Sequence, residues 1–276
     1  MKQFNHIKLV AIILGMLLMF SCKQKNNSWE IKGKGIENEQ VYLCQVNLID
    51  GDTVLDSTRV EKGKFSFSGT NPDERLRPYK ILSKGKQHVA VDVLIANGER
   101  LQIAVKDEYD INFSGTPISK TYNKFLDFRK NELDNLKDFR QVLSDSSLTE
   151  DEMNAKMLIY KEKMQESENE KIDFLKSIQN PELNSFLVLH EAVTSGVIEK
   201  EVFDKYVKAL TPEGSMTKNG HKMHQIYEVF ESYALSRELE LLDSATVRSR
   251  YKQLDSENKN SEFGRQVLKS IEQAEK

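Results

Sequence analysis

From Trp29 to Ser114-Gly115-Thr116-Pro117 hydrophobic residues tend to recur at every second position of this chain, and beyond it at every third or fourth. A period of two suits strands and a period near 3.6 suits helices, so the two halves cannot share one kind of secondary structure. Before the switch, "WEIKGKG", "QVYLCQV", "DTVLDSTRV", "GKFSFSG", "PYKILSK", "HVAVDVLI", "RLQIAV" and "DINFSG" are short runs rich in Val, Ile, Phe and Tyr, separated by Gly, Asn, Asp and Pro. Phe65 and Phe67 share one face with Ser66 and Ser68 on the other, and Val89, Val91, Val93 and Ile95 alternate in the same way. Residues 29–116 are therefore expected to form an antiparallel β-sandwich or small barrel.

After the switch, Pro117 suits a first helical position with Thr116 as cap. Ile118, Tyr122, Phe125, Leu133, Leu136, Phe139 and Leu143 fall near one helical face. A second long helix is expected after "SSLTEDE", where Ser147 with Glu150 or Thr149 with Glu152 can form a capping box. Met153, Met157, Tyr160 and Met164 follow as a stripe that would seal the seam of a helical hairpin. Further helices are readable to the end, giving an all-α helical domain over 117–276 and an α+β chain overall. A faint internal echo joins "YVKALTPEGSMTKNGHKMHQIY" to "YKQLDSENKNSEFGRQVLKSI", but the match is too sparse to count as a repeat array.

The first residues read as an address rather than as fold. Lys2 and Lys8 precede the apolar run "LVAIILGMLLMF", which is shorter than the roughly 20 residues that a membrane-spanning helix needs. Residues 1–21 are expected to be a signal peptide. "MFSC" then resembles a bacterial lipobox, which makes Cys22 the expected lipid-attachment residue, at the head of a polar tether over 22–28. Acyl chains at about 0.8 kcal/mol per buried methylene would hold the body to a membrane. The stretch after Cys22 carries no acid, which favours an outer-membrane lipoprotein facing the periplasm. The rival is an unlipidated secreted chain with a Cys22–Cys44 disulfide, although Cys44 in "VYLCQV" reads better as a buried small hydrophobe.

Two cysteines exclude a zinc knuckle or a C-x-x-C redox pair in addition to the anchor. A net charge of −3 with scattered lysines gives no footprint for nucleic acid. No G-x-S-x-G elbow, Walker loop or G-x-G-x-x-G occurs, and "SGTPISK" does not fit S-x-x-K because Pro117 holds the lysine position after Ser114. Asp50, Asp52, Asp56 and Glu61 have the spacing of a calcium loop but lack its glycine, so a turn and strand are expected there. His221, His224 and Glu228 would align on one helical face and are read as solvated, and His190 in "FLVLHEAV" is read as a packing histidine. No catalytic, metal or cofactor-binding residue is assigned.

Gly33, Tyr42, Leu43, Asp56, Ser57, Val60, Gly63, Phe65, Phe67, Gly69, Gly98, Ser114 and Gly115 together resemble the exported-lipoprotein domain known as domain of unknown function 4369, common in Bacteroidetes. In many relatives, the resemblance implies, such a module and a helical segment precede a thioredoxin-like domain with a C-x-x-C site, and redox activity belongs to that part. The chain is thus expected to be a non-enzymatic, membrane-anchored binding or scaffolding module. Two other readings stay open: an accessory that docks a separate thioredoxin-like protein, and a cryptic hydrolase or ligand-binding protein with a site at the domain junction.

Overall fold

A computed structural model describes residues 27–37, 40–47, 51–73, 75–84, 88–107 and 110–274. Residues 1–21, read above as a signal peptide, and Cys22 lie outside them. Among the described residues eight strands form two four-stranded sheets, one ordered β4-β1-β7-β8 and the other β3-β2-β5-β6. The strands are β1 Trp29–Lys34, β2 Gln40–Gln45, β3 Thr53–Arg59, β4 Lys64–Gly69, β5 Arg77–Lys84, β6 His88–Ile95, β7 Arg100–Val105 and β8 Ile111–Ser114. The sheets stay separate, with no closed barrel. One pairing departs from the antiparallel expectation: β1 and β7 run parallel, with Ile31 opposite Leu101. Five strands intervene in sequence, long enough a connection for the chain to visit the second sheet and return in the same direction.

Alternation decides which side chains meet between the sheets. Ile31, Phe65, Phe67, Val89, Val93, Ile95 and Ile103 are all buried, whereas Ser66 and Ser68 face water. Gly33 is needed for a close approach, because a Cβ there would sit 1.9 Å from the Phe65 ring. Asn71 is a buried polar hub of the same core. Its Oδ1 accepts from Trp29 Nε1 at 2.8 Å and from the Tyr79 hydroxyl at 2.7 Å, and its Nδ2 donates to the carbonyls of Arg75 and Ile95.

Ten helices follow among the described residues: α1 Ser119–Ser144, α2 Glu150–Lys176, α3 Pro181–Thr194, α4 Lys200–Val207, α5 Pro212–Ser215, α6 Lys218–Glu228, α7 Phe230–Arg237, α8 Ser244–Gln253, α9 Ser256–Asn260 and α10 Glu262–Gln273. Pro117 lies in a turn ahead of α1 rather than at its first position, since Ser119 N–H bonds to the Thr116 carbonyl. Thr149 and Glu152 form the capping box of α2. The helices α1 and α2 make the hairpin, and Phe139 stacks on Tyr160 with ring centroids 4.0 Å apart. Its outer part, residues 131–167, buries no side chain and stands clear of the core. There the methionine stripe seals only partly: Met153 and Met164 are half-buried, while Met157, Leu158 and Ile159 are 43%, 59% and 53% exposed.

The echo noted between the last two helical segments is a structural repeat. Thr211 and Asp255 cap α5 and α9 by accepting from Gly214 N and Asn258 N. Thr217 and Ser261 cap α6 and α10 by accepting from Gly220 N and Gly264 N, and their hydroxyls donate to the carbonyls of Gly214 and Asn258. A Cβ on Gly220 would meet the Gly214 carbonyl at 2.2 Å, and one on Gly264 the Asn258 carbonyl at 2.1 Å. Each of these pairs is separated by 44 residues, within the range of about 40–47 typical of helical solenoid units. The units are α3–α6 and α7–α10. Composition hid the match because Val247 takes the place of Phe203 and Val267 that of Met223, so spacing and caps persist while side chains change.

Asn71→Leu removes the partner of two buried donors and two carbonyls, and each orphaned group costs about 1–3 kcal/mol. The expected outcome is a loss of about 3 kcal/mol in urea unfolding, read with Trp29 fluorescence as the local probe.

Candidate functional site

The hydrophobic core does not stop at the change from strands to helices. Phe113 of β8 packs edge-on against Tyr122 of α1, with centroids 5.1 Å apart, and the Tyr122 hydroxyl donates to the Asp92 carbonyl of β6 at 2.8 Å. Asn123 donates to the Phe113 carbonyl and accepts from its N–H, so a side chain takes the place of a further strand along β8. On β6, Val91 and Val93 point between the sheets, which directs Asp92 to the opposite face. The helices α1 and α3 cover that face, and Asp92 is consequently buried.

A chain of charges runs from Asp92 into the helices. His190 Nε2 lies 3.0 Å from Asp92 Oδ2, and His190 Nδ1 lies 3.4 Å from Glu191 Oε1. Glu191, 1% exposed, pairs with Lys171 at 2.9 Å. Lys171 of α2 is itself 2% exposed and also meets Glu132 of α1 at 2.7 Å and Glu168 at 2.9 Å. Arg129 of α1 approaches both Glu191 Oε1 and His190 Nδ1 at 3.5 Å. On the strand side, Lys80 bridges Asp92, at 3.7 Å, to Asp52. Tyr206 of α4 donates its hydroxyl to Glu168.

Burial would by itself push a carboxyl up, but the hydrogen bond to His190 and the charges of Lys171 and Arg129 hold Glu191 down at about 2. Burial would likewise lower the Lys171 ammonium, yet the Glu191, Glu132 and Glu168 carboxylates raise it well above its ordinary range. His190 follows the same balance. Desolvation pulls its pKa down, the hydrogen bonds to Asp92 and Glu191 outweigh it, and the imidazole is raised above its usual 6.5.

Chemically the cluster is a buried proton-binding and charge-pairing unit. Thr194 Oγ1 comes within 3.4 Å of His190 Nδ1, the spacing of a nucleophile beside a base, but its proton goes to the His190 carbonyl at 2.7 Å. That is the helical back-bond of a threonine rather than an activated hydroxyl. The domain junction is thus filled by ion pairs. A cleft of about 340 Å³ among the described residues lies elsewhere, between α7 and α8.

The residues singled out in the sequence are placed as follows. Cys22, the lipid-attachment candidate, and Asp50 are outside the described residues. Cys44 is buried in β2 and joins no disulfide among the described residues. Asp52 Oδ1 accepts from the Asn47 N–H at 3.1 Å and Asp52 pairs with Lys80, and Asp56 lies in β3, in keeping with the strand expected there. His221, His224 and Glu228 all lie on α6, and among the described residues no group of three or more His, Cys, Asp or Glu is placed to hold a metal. No helix among them is long and apolar enough to cross a membrane. His190 does pack, against Phe125 and Phe186, but as part of the ion chain that sequence reasoning missed. One signal was present: Asp92 is the only charge inside the apolar run "VAVDVLI".

Residues 28–122 match the family model Domain of unknown function (DUF4369). The match ends at Tyr122, the residue that docks the first helix onto the sheets. The matched stretch thus includes Asp92 and Tyr122, while His190, Glu191 and Lys171 come from the helices beyond it. No curated protein matches the chain.

Removing one partner of a buried pair costs about 3–5 kcal/mol, because the other charge stays behind. Lys171→Met is expected to lower unfolding free energy by about that amount, and Lys137→Met on the exposed arm by less than about 0.5 kcal/mol; chemical denaturation compares the two. The pH dependence has two sides. His190 binds its proton more tightly when folded, so its contribution is complete below pH 6.5 and is lost as the pH climbs through the raised value. Glu191 contributes fully above pH 4.5 and loses its contribution as the pH falls towards 2. Thermal melts are expected to decline above about pH 6.5, and His190→Gln to flatten that alkaline limb while leaving the acid one.

Proposed function

We propose that the chain is a lipid-anchored cell-envelope protein, tethered through Cys22 and facing the periplasm, which acts without catalysis as a binding or scaffolding module. The observation that carries the binding half is the hairpin arm. Met157, Leu158 and Ile159 point in different directions around α2, and all three are exposed. A run of exposed apolar residues on a projecting element is a cost unless something covers it. The ion chain supports the same reading from the other side. It ties arm, helices and sheets together at buried contacts, as a presenting scaffold requires, and its one hydroxyl beside a histidine is committed to a backbone carbonyl.

The anchoring half rests on the signal-like residues 1–21 and on the "MFSC" context of Cys22. Several acyl chains would hold the body to the outer membrane without a spanning helix. Cells expressing the full chain are expected to incorporate labelled palmitate into it and to retain it in the membrane fraction. Cys22→Ser should abolish the label and release the protein on cell breakage; a variant that stays in the membrane fraction would contradict the anchor. Photo-cross-linking from position 158 in the same membranes tests the binding half, and absence of any cross-linked partner over a control at Lys62 would contradict it.

A further inference from the structure

The sheet β4-β1-β7-β8 turns one face to the core and leaves the other uncovered. No side chain on that outward face is buried, and the helices pack elsewhere, against β8 and β6. In a chain of net charge −3, the face carries Lys32, Lys34, Lys64 and Arg100 against the single carboxylate of Glu30; its other positions are Ser, Gln, Asn and Ala. Glu30 is already shared between Lys32, at 3.0 Å, and Arg100. Lys34 and Lys64 stand directly opposite each other across β1 and β4, and among the described residues neither has a carboxylate partner. Like charges so placed destabilise a strand pair unless an anion lies over them. The turn from β3 into β4 extends the row. Its Lys62 has a φ of 52°, a left-handed position that Gly or Asn would hold with less strain, and the exposed Glu61 beside it pairs with none of these lysines among the described residues.

We infer that this face lies on an anionic phospholipid surface, with Lys32, Lys34 and Lys64 against the lipid phosphates. Shape and chemistry favour a bilayer over a small anion, because the cations are spread over a flat pleated surface and no large apolar side chain points outward to enter the hydrocarbon. Reach favours a bilayer over an acidic protein. Cys22 precedes Trp29 by seven residues, at most about 25 Å of extended chain, so an acylated Cys22 keeps the start of β1 within that distance of the membrane. Lys34 and Lys64 sit at the opposite end of β1 from Trp29. Anchor and lysines would thus hold the two ends of one strand, with the helix-covered face of β6 turned away from the lipid. An acyl anchor joined to a basic patch is a two-signal attachment, firmer than either alone.

The inference deepens the anchored-module reading and rests on its placement of Cys22 at a membrane. For the test, the chain from residue 22 onward is coupled through the Cys22 thiol to a maleimide-bearing lipid, Cys44 being buried, so that attachment does not depend on acylation in the cell. Acetylation by a neutral amine reagent is followed by peptide mass spectrometry on vesicles of phosphatidylcholine, with and without phosphatidylglycerol. Lys34 and Lys64 are expected to react at least about fivefold more slowly on the anionic vesicles, the effect of about one lysine's attraction to such a surface. Lys137 and Lys161 on the arm should react at the same rate on both. Salt at about 1 M, where the screening length is about 3 Å, should erase the difference. Lys34→Glu combined with Lys64→Glu, both at exposed positions, should abolish the slowing at Lys32. Equal rates on the two vesicles, slowing shared by the arm, slowing at Lys32 that survives the double charge reversal, or equal protection by soluble polyphosphate would each overturn the inference. Palmitate labelling reports on the anchor by itself, so failure of the basic face and failure of the anchor are told apart.

Discussion

The ammonium of Lys171, enclosed by the carboxylates of Glu132, Glu168 and Glu191, joins three helices at one point. Taking such a group out of water costs several kcal/mol, recovered only if its partners are held in place. The consequence is geometric: α1, α2 and α3 have to converge there, and the angle at which the hairpin leaves the body follows from it. Glu191 then passes the constraint to His190, and His190 to Asp92 on β6, so the sheets are tied into the same arrangement. Hydrophobic contact between Phe113, Tyr122 and Phe125 would hold the two parts together. The directional ion chain specifies how they are turned against each other.

Beyond that junction the helical part is built by repetition. Each unit uses a hydroxyl or carboxylate cap at the start of its short third helix, a hydroxyl cap at the start of its fourth, and a glycine where the fourth passes over the third. These are backbone requirements, indifferent to the side chains that fill the core between the helices. The first unit could therefore acquire the charged wall that receives Lys171 while the second acquired Leu235 and Arg250, with no change in the path of the chain.

Period-two alternation in "GKFSFSG" and "HVAVDVLI" was enough to place Phe65, Phe67, Val89 and Val93 between the sheets. The Thr149–Glu152 box likewise marked the start of α2. Those features depend on neighbours a few residues apart. The parallel pairing of β1 with β7 was not legible, because nothing local records which of several exposed edges a returning strand will meet. The repeat was barely visible for a related reason: its signature is a few capping residues, and a search for similar apolar side chains passes over them. His190 read as a packing residue, which it is, but its ionic partner lies 98 positions earlier on another element.

What the sequence by itself determined is the order of architectures, the faces of the strands and the neighbourhood of the α2 start, since each depends on chemistry within about one turn or one hairpin. What only the tertiary structure decided is which charges are taken out of water together. Asp92, Lys171, His190 and Glu191 are ordinary polar residues along the chain, and they become a linked set because the outward face of β6, the end of α2 and the inner face of α3 are brought within hydrogen-bonding distance by packing. Desolvation and pairing energies exist only once that distance is closed, so no local pattern could have announced them.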